Sequence, residues 1–184
     1  MPGAEGQTEH DAQPTNGSTG TPASPPAGHA IIAGFGLSGR ATANALIAKG
    51  IPIAVIERNV DTVRRCSIAG LRIYEGDATD EQVMRRAGIE TAIFFAATMP
   101  NDPAVLEAVA LARRLNPTVR IFARCEYVST GMRAERKGAD EVVISEKVVA
   151  TEFGRLVEQL VPRPDPRSVR ASSGPPEAVP ASPR

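Results

Sequence analysis

The chain has 184 residues and carries 21 basic and 21 acidic side chains, so its formal net charge is zero. This balance excludes the basic surface with which proteins bind nucleic acid regardless of its sequence, and no nucleic-acid partner is expected. No apolar run approaches the roughly 18 residues that span a membrane, and residues 1–29 contain neither Lys nor Arg nor the apolar segment of a signal peptide. The sequence therefore predicts a soluble, cytoplasmic protein with no direct membrane insertion.

Proline divides the chain into three parts. Of the 16 prolines, five lie in residues 1–29 and seven in residues 162–184. These segments are also rich in Gly, Ser, Thr and Ala, and they contain too few large apolar side chains to offset the entropy lost on ordering. We therefore expect a disordered N-terminal tail, a disordered Pro-rich C-terminal tail, and between them one domain of residues 30–161 that is long enough to bury a core.

Short apolar runs alternate with amphipathic segments from residue 30 onward, a pattern typical of strands and helices in turn. The predicted strands are Ala30 to Ala33, Ile53 to Ile56, Arg72 to Tyr74, Ala92 to Ala96, Arg120 to Ala123 and Glu141 to Ile144. The predicted helices cover residues 38–49, 60–68, 80–86, 103–115, 127–137 and 146–160. This alternation predicts an α/β fold with a doubly wound, Rossmann-like parallel sheet of six strands in the order 3-2-1-4-5-6.

Two signals mark the predicted helix ends. Asp102 followed by Pro103 indicates an N-cap with proline at the first helical position. Glycines occur where several helices should stop, at Gly50, Gly70, Gly88 and Gly138.

A glycine-rich segment follows the first predicted strand. Its GxGxxG spacing is typical of a tight strand-to-helix turn that brings backbone N–H groups against a pyrophosphate, and the positive end of the following helix points at the same anion. The candidate phosphate-binding residues are Gly34, Phe35, Gly36, Leu37, Ser38 and Gly39. The segment also resembles a P-loop, but Ala41 stands where the Ser or Thr that holds Mg²⁺ is required, so that interpretation fails.

An acid occurs at the end of the second predicted strand. Glu57 lies 18 residues beyond Gly39, where a carboxylate can accept both hydroxyls of an adenosine ribose. The same carboxylate would repel a 2′-phosphate, which favours NAD(H) over NADP. Arg58, the next residue, is a further candidate ligand-binding residue, because its positive charge would reduce the repulsion of a 2′-phosphate. Either side chain could instead be a solvated residue at a strand end.

The residues that dehydrogenases use for proton transfer are missing from the predicted domain. Both histidines, His10 and His29, precede it. Neither Tyr74 nor Tyr127 is followed four residues later by the Lys of a Tyr-xxx-Lys pair. We therefore predict no catalytic residue and no enzymatic activity.

The chain also lacks the usual spacings of metal ligands. Its two cysteines, Cys66 and Cys125, are 59 residues apart, which favours reduced thiols over a disulfide framework. Four acids occur near the third strand, but their spacing through a loop favours a solvated rim over a cation site, and no metal is predicted. These acids are Glu75, Asp77, Asp80 and Glu81.

Six segments occur in a defined order along residues 30–160. They are GFGLSG, VIERN, EGDAT, a run that ends at Ala97-Thr98, IFAR at residues 121–124 and GADEVV at residues 138–143. In this combination the chain resembles the N-terminal nucleotide-binding domain of Trk-type potassium-transport regulators, also called RCK or KTN domains.

The resemblance implies a set of ligand contacts. The three glycines would face phosphates, Glu57 the ribose, and Asp77, Ala78 and Thr79 the adenine side, while Thr98 and Arg124 would border the rest of the ligand. Asp77 could instead cap the helix that starts near Asp80, and Arg124 could be an exposed ion-pair partner. Many family members have a basic residue where this chain has Leu37, so NAD(H) is favoured, with ATP or ADP as a possible ligand.

The last predicted helix carries Val149, Phe153, Leu156 and Leu160 on one face, which could pack on its own sheet or form a seam between subunits. Because Trk-type domains pair through helices at this end, the resemblance implies a homodimer or higher oligomer. It also implies a membrane potassium transporter or channel subunit as partner. The sequence thus predicts a non-catalytic regulatory domain. An NAD-dependent oxidoreductase fragment and a redox- or energy-sensing module without a transporter are the alternatives.

Overall fold

Six parallel strands form a single sheet in the order β3-β2-β1-β4-β5-β6 in a computed structural model, which describes residues 25–68 and 71–162. The strands are β1 (Ala30–Ala33), β2 (Ile53–Glu57), β3 (Ile73–Glu75), β4 (Phe94–Ala97), β5 (Arg120–Cys125) and β6 (Glu141–Ile144). The helices are α1 (Leu37–Ala48), α2 (Val60–Ile68), α3 (Glu81–Arg86), α4 (Asp102–Leu115), α5 (Val128–Arg136) and α6 (Ser145–Leu160), with a 3-10 helix at Ile89–Thr91. The predicted fold class and strand order are confirmed.

Hydrophobic clusters cover both faces of the sheet. On one face, α3, α4 and α5 pack over a core that includes Phe95, Met84 and Val109. On the other face, α1 and α2 pack over a smaller core around Ile32 and Val55. Because β1 lies between β2 and β4 and is buried along its whole length, its apolar run has no polar alternation.

Most predicted element boundaries differ from the structure by one or two residues, and two of these differences have a clear local cause. The fourth strand begins at Phe94 rather than Ala92, because a 3-10 helix ends just before Ala92. Asp102 was predicted to cap α4, and this was wrong. Asn101 is the cap, and its side chain accepts a hydrogen bond from the Ala104 N–H at 2.9 Å. Asp102 is the first helical residue and its carboxylate is free to bond elsewhere.

The segment 25–29, which was assigned to the N-terminal tail, packs on the domain. The Gly28 N–H donates to the carbonyl of Thr91 at 3.1 Å. His29 is fully buried, and its Nε2 lies 2.9 Å from the carbonyl oxygen of Ala87. The ordered domain therefore begins before residue 30. The predicted disorder of residues 1–24 and 163–184 lies outside the described residues, as does the predicted helix stop at Gly70.

Helix α6 differs from the other long helices because none of its residues is buried. Its attachment to the domain includes a hydrogen bond from the Glu146 N–H to the carbonyl of Glu126 at 3.2 Å. Phe153 is 67% exposed and Leu160 is 77% exposed. The alternative in which this helix packs on its own sheet is therefore wrong.

No helix in the described ranges is both long enough and apolar enough to cross a membrane.

An ion pair fixes the junction of α4, β5 and β6. Asp140 accepts a hydrogen bond from the Ile121 N–H at 2.6 Å and one from the Arg113 guanidinium at 2.9 Å. The same guanidinium donates to the carbonyl of Gly138. The Ile121 hydrogen bond, more than the nearby guanidinium, holds the pKa of the Asp140 carboxyl below its usual range. The GADEVV segment thus has a structural role at the edge opposite the strand carboxyl ends.

Replacement of Asp140 by Asn should lower the free energy of unfolding by about 1 to 3 kcal/mol at neutral pH, because a charged hydrogen-bond acceptor is lost. The folded-state pKa of Asp140 is lowered, so this stabilisation is complete above the ordinary value of 3.8 and is lost as the pH falls through the folded value. Urea unfolding of both proteins over a pH series measures the difference. It should shrink in acid, and the neighbouring exposed Glu141→Gln should show no such effect.

Candidate functional site

The carboxyl ends of the strands bring the predicted ligand-binding residues to one edge of the sheet. The glycine segment follows β1, Glu57 ends β2 and Arg58 follows it. Asp77 to Thr79 follow β3, Thr98 follows β4, and Arg124 lies near the end of β5. The chain leaves β1 for β2 on one side and reaches β4 on the other, so the strand order reverses at β1. Ligands of open α/β sheets bind in the crevice at such a reversal.

Two glycines shape the turn between β1 and α1. Gly34 has a φ of +89°, and a Cβ there would lie 3.1 Å from the backbone nitrogen of Met99. A Cβ on Gly39 would lie 2.1 Å from the carbonyl oxygen of Gly34, which no side chain can tolerate. The fold itself therefore requires glycine at both positions.

Gly36 stands in a different environment from the other two glycines. A Cβ built there would meet no atom within 4 Å. Gly36 is the N-cap residue of α1 and supplies no side-chain cap, and the first turn of α1 contains no acidic residue. Leu37 and Ser38, the next two residues, are exposed. Free space in front of an uncapped helix N-terminus is what an anionic group of a ligand requires.

Thr98 holds the glycine turn in place from below. Its hydroxyl lies 2.9 Å from the carbonyl oxygen of Ala33 and 2.8 Å from that of Gly34. Because the hydroxyl donates to these carbonyls and the side chain is buried, Thr98 positions the turn and has little left to offer a ligand directly. Phe35 and Ala78 also bury their side chains in the core, so only their backbone groups can reach the crevice.

Glu57 links the end of β2 to the glycine turn through backbone hydrogen bonds. One carboxylate oxygen, Oε1, accepts from the N–H groups of Arg58 at 2.8 Å and Asn59 at 2.9 Å. Among the described residues, the other oxygen, Oε2, accepts a hydrogen bond from the N–H of Phe35 alone, at 2.7 Å. A carboxylate oxygen can accept from two donors, so Oε2 has one acceptor position that the described residues leave unused.

Arg58 and Asp77 form an ion pair between the loops after β2 and β3. Their side chains lie 2.9 Å apart and are 73% and 36% exposed. Asp77 also accepts from the N–H and the hydroxyl of Thr79, both at 2.9 Å. Partial burial by itself would raise the pKa of Asp77, but these bonds from Thr79 and Arg58 outweigh it, and the pKa lies below its usual range. Asp77 is therefore an anion in the crevice.

Asp77 does not cap α3, and this alternative was wrong. The N-cap is Asp80, whose carboxylate accepts from the Gln82 N–H at 2.7 Å. Glu81 pairs with Arg85 and Arg114. Three of the four acids near β3 are thus occupied by local partners. The described residues contain no group of three or more His, Cys, Asp or Glu side chains that could hold a metal ion.

Arg124 is an ion-pair partner at the far end of the crevice. Its guanidinium lies 2.6 Å from the carboxylate of Glu126. The neighbouring Cys125 is buried, and burial, with a smaller contribution from Asp102, raises the pKa of its thiol to about 11. This thiol is neutral at physiological pH and is not a nucleophile. Cys66 is buried as well, so both cysteines are the reduced core residues that the sequence predicted.

Three contributors to the crevice were missed from the sequence. Met99 packs its backbone and side chain against Gly34, Asn59 donates to Glu57, and the Asp102 carboxylate accepts from the Glu126 N–H at 2.9 Å. Residues 99–103 form no periodic pattern that would predict these contacts. Pro103 did indicate a helix start, but the predicted start of α4 was one residue too late.

The TrkA-N domain model matches residues 30–145 of the chain. The Escherichia coli (strain K12) protein named as cation/proton antiporter YbaL is 34% identical over 130 residues, which are 71% of this chain and 23% of that protein. A Pyrococcus horikoshii protein named Trk system potassium uptake protein TrkA homolog is 40% identical over 96 residues, 51% of this chain and 42% of that protein. The chain thus spans less than half the length of these relatives.

Solved structures share the fold. The TrkA-N domain of inner membrane protein ybaL from Escherichia coli has a TM-score of 0.68 at 33% identity and covers 71% of this chain and 97% of that chain. The GsuK channel bound to NAD (TM-score 0.59, 23% identity, 64% of this chain and 21% of that one) shows the fold alone. Two further structures also show the fold alone. GsuK bound to ADP has a TM-score of 0.61 at 22% identity and covers 67% of this chain and 32% of that chain. Shewanella denitrificans Kef CTD in AMP-bound form has a TM-score of 0.62 at 22% identity and covers 78% of this chain and 87% of that chain.

Replacement of Gly36 by Ala should leave the fold intact and weaken NAD(H) binding at least about tenfold, or ~1.4 kcal/mol. The added methyl group meets no protein atom but occupies the space in front of the α1 N-terminus. Calorimetry measures the affinity and circular dichroism the fold. Gly154→Ala on α6, which also adds a methyl group in open space, should bind normally, whereas Gly39→Ala should destabilise the domain. Normal binding by Gly36→Ala would show that the phosphates lie elsewhere.

Replacement of Glu57 by Gln should weaken NAD(H) binding by about 1 to 3 kcal/mol, the usual cost of losing a charged hydrogen-bond acceptor. Glu75 ends the adjacent strand directly opposite Glu57 and is exposed, so Glu75→Gln is the matched control and should bind as the wild type does. Thermal melting separates a lost ligand contact from a loosened glycine turn. Unchanged calorimetric affinity in Glu57→Gln would remove the ribose assignment.

Proposed function

The chain belongs to the TrkA-N domain family, and on that premise we propose that it is a non-catalytic regulatory domain which binds an adenine nucleotide and controls cation transport. NAD(H) is the favoured ligand, and ADP or ATP is the alternative. The relatives' names connect the family to Trk potassium uptake and to cation/proton antiport. The proposed partner is accordingly a membrane potassium transporter or channel subunit, with this domain on its cytoplasmic side.

The observation that carries the nucleotide proposal is the environment of Gly36. The uncapped α1 N-terminus faces open space, and the Glu57 carboxylate stands at the end of the adjacent strand β2 with one acceptor position unused. A pyrophosphate and an adenosine ribose need these two groups in this relation. Asp77 and Arg58 then border the adenine side, as an ion pair that a bound base would have to accept or open.

The preference for a dinucleotide over a triphosphate rests on the first turn of α1. Leu37 is 91% exposed beside the proposed phosphate position and offers no charge. The nearest cation on the same helix, Arg40, lies over the ring of Phe35 at 5.8 Å from its centroid. The third phosphate of ATP would therefore find no cationic side chain on this turn to neutralise it. The two phosphates of NAD(H) can be held by backbone N–H groups alone.

The described residues place no histidine and no reactive thiol in the crevice to transfer the proton that accompanies hydride transfer. The described residues contain one histidine, His29. It precedes β1 and therefore lies at the edge of the sheet opposite the crevice. Its ring is buried against carbonyl groups of Pro26 and Ala87. The Cys125 thiol is buried and neutral. These observations favour a regulator over an oxidoreductase fragment.

In this proposal, helix α6 transmits the effect of nucleotide binding to the partner subunit. We define the α6 stripe as Val149, Phe153, Leu156 and Leu160, which lie on one side of the helix and are exposed. An apolar stripe of this size is a self-association surface in the proposed homodimer or higher oligomer. A ligand would then regulate the partner by its different affinity for two arrangements of the subunits.

The proposal is tested by titrating the full chain with NAD+, NADH, NADP+, AMP, ADP and ATP in a calorimeter. We expect NAD(H) to bind more tightly than NADP+ and ATP, and NADH to stay unoxidised with carbonyl substrates present. Binding to none of the six nucleotides would contradict the proposal, and hydride transfer would establish the oxidoreductase alternative. Copurification of a membrane cation transporter with the tagged chain would support the transport role over a sensing module without a transporter.

Replacement of Phe153 by Asp should produce folded monomers that still bind nucleotide. Burial of an unpaired carboxylate in an apolar interface costs several kcal/mol, which is more than a modest dimer interface can offset. Sedimentation velocity reports the oligomeric state and thermal melting the fold. Thr151→Asp places the same charge on the opposite side of α6 and should stay oligomeric. A wild-type chain that is monomeric at high concentration would refute self-association.

A further inference from the structure

A cavity lies between α4 and α5, the helices that lead from β4 to β5 and from β5 to β6. Its volume is about 410 Å³, which is the size of site that a small molecule occupies. Both helices connect parallel strands, so they run side by side from the carboxyl edge of the sheet to the opposite edge. Asp102 and Tyr127 line the cavity at its upper end, next to the carboxyl edge, because they lie at the starts of α4 and α5.

The buried part of the cavity wall combines an apolar side chain with a hydroxyl group. Leu106 of α4 is 3% exposed and Thr130 of α5 is 8% exposed. The Thr130 hydroxyl forms no hydrogen bond within residues 25–68 and 71–162, although a helical Thr often bonds to the carbonyl one turn earlier. Buried polar groups are normally hydrogen-bonded, so this hydroxyl has capacity for a bound molecule.

The upper end of the cavity carries an anion with unused bonding capacity. One oxygen of Asp102, Oδ1, accepts from the Glu126 N–H at 2.9 Å, which fixes the carboxylate in place. The other oxygen, Oδ2, is buried and has no hydrogen-bond partner among the described residues. A buried acceptor without a donor costs free energy. A ligand that donates a hydrogen bond to Asp102 would remove that cost.

Two bases follow Thr130 along α5 and its C-cap, Arg133 and Lys137. Side chains on a helix lean toward its N-terminus, so the Arg133 guanidinium can reach the level of Thr130. Glu107 of α4 is the second acid that lines the cavity. In the described ranges neither base forms an ion pair, and neither do Glu107 and Asp102. The cavity thus carries two acids and two bases, with opposite charges that are not paired with each other.

We propose that this cavity binds a free α-amino acid with a large apolar side chain. The ammonium group of the ligand lies against the Asp102 carboxylate and donates to the Thr130 hydroxyl, and the ligand carboxylate binds the Arg133 guanidinium. The apolar side chain packs on Leu106 beside the ring of Tyr127. Because Oδ2 of Asp102 is enclosed, the ammonium reaches it when the Tyr127 side chain, which is 59% exposed, moves aside.

The charges of the cavity favour this class of ligand over others. An α-amino acid is a zwitterion at neutral pH, so it matches a site of zero net charge. A ligand of one sign alone would leave either the acid or the base unpaired. The span is short as well, since Tyr127 and Thr130 are three residues apart, about 4.5 Å along the helix axis. The site lies outside the nucleotide crevice and adds a second ligand to the proposed function.

The first test varies the charge of the ligand. The full chain is titrated in a calorimeter with L-leucine, L-methionine and L-phenylalanine, and at least one should bind at one site per chain. Its N-acetyl derivative lacks the ammonium group and its amide derivative lacks the carboxylate. Each should bind at least about tenfold more weakly, because one charged group of the cavity loses its partner. Absence of binding by all three amino acids, or equal binding by the blocked forms, would overturn the proposal.

The second test locates the site. Arg133→Gln removes the base that binds the ligand carboxylate, and Asp102→Asn removes the charge at the upper end while keeping an oxygen for the Glu126 N–H. Each should weaken amino-acid binding at least about tenfold. Arg136→Gln is the matched control, because Arg136 is an exposed residue of α5 that does not line the cavity, and it should bind as the wild type does.

Thermal melting shows whether the variants remain folded. Arg133 is exposed, so Arg133→Gln should melt as the wild type does, and it keeps the test decisive if Asp102→Asn is unstable. Normal amino-acid binding by folded Arg133→Gln would overturn the assignment of the site.

Titration of the same samples with NAD+ separates this inference from the proposed function. Wild-type chains that bind NAD+ but none of the three amino acids would overturn this inference alone. Chains that bind an amino acid in the Arg133-dependent manner but do not bind NAD+ would support it and contradict the nucleotide-binding proposal.

Discussion

The crevice depends on the contact between Gly39 and the carbonyl of Gly34. A Cβ at Gly39 would lie 2.1 Å from that oxygen, so α1 can start this close to β1 only with glycine there. The Thr98 hydroxyl binds the same carbonyl from β4 at 2.8 Å. Three elements are thereby fixed at the point where the strand order reverses. The α1 N-terminus faces open space as a consequence, because the turn leaves nothing in front of Gly36.

Each charged side chain along the crevice has a local partner, so the crevice does not carry a continuous patch of one sign of charge. Glu57 is held by three backbone N–H groups, Asp77 by Thr79 and Arg58, and Arg124 by Glu126. Such pairing keeps the side chains in place before a ligand arrives, which lowers the ordering cost of binding. In the proposed function, the ion pairs Arg58–Asp77 and Arg124–Glu126, at opposite ends of the crevice, are the contacts that a bound nucleotide would open.

Helix α6 is the element that the rest of the domain leaves uncovered. None of its residues is buried, and its apolar side chains Phe153 and Leu160 are largely exposed. In the proposed function this surface binds a second subunit. Glu126 lies between α6 and the crevice, because its carbonyl accepts from the Glu146 N–H at the start of α6 and its carboxylate pairs with Arg124.

Local patterns in the sequence determined the fold class, the strand order and the positions of the glycine turn and Glu57, because apolar runs, glycine spacing and strand ends are properties of neighbouring residues. Tertiary structure alone decided which glycine is sterically required, that Thr98 supports the turn, that Asn101 rather than Asp102 caps α4, and that His29 belongs to the domain. It also decided that α6 leaves its own sheet, since the same apolar stripe fits either a core or an interface. These outcomes depend on contacts between residues far apart in the chain, such as Gly34 with Met99 or His29 with Ala87, which no local pattern encodes.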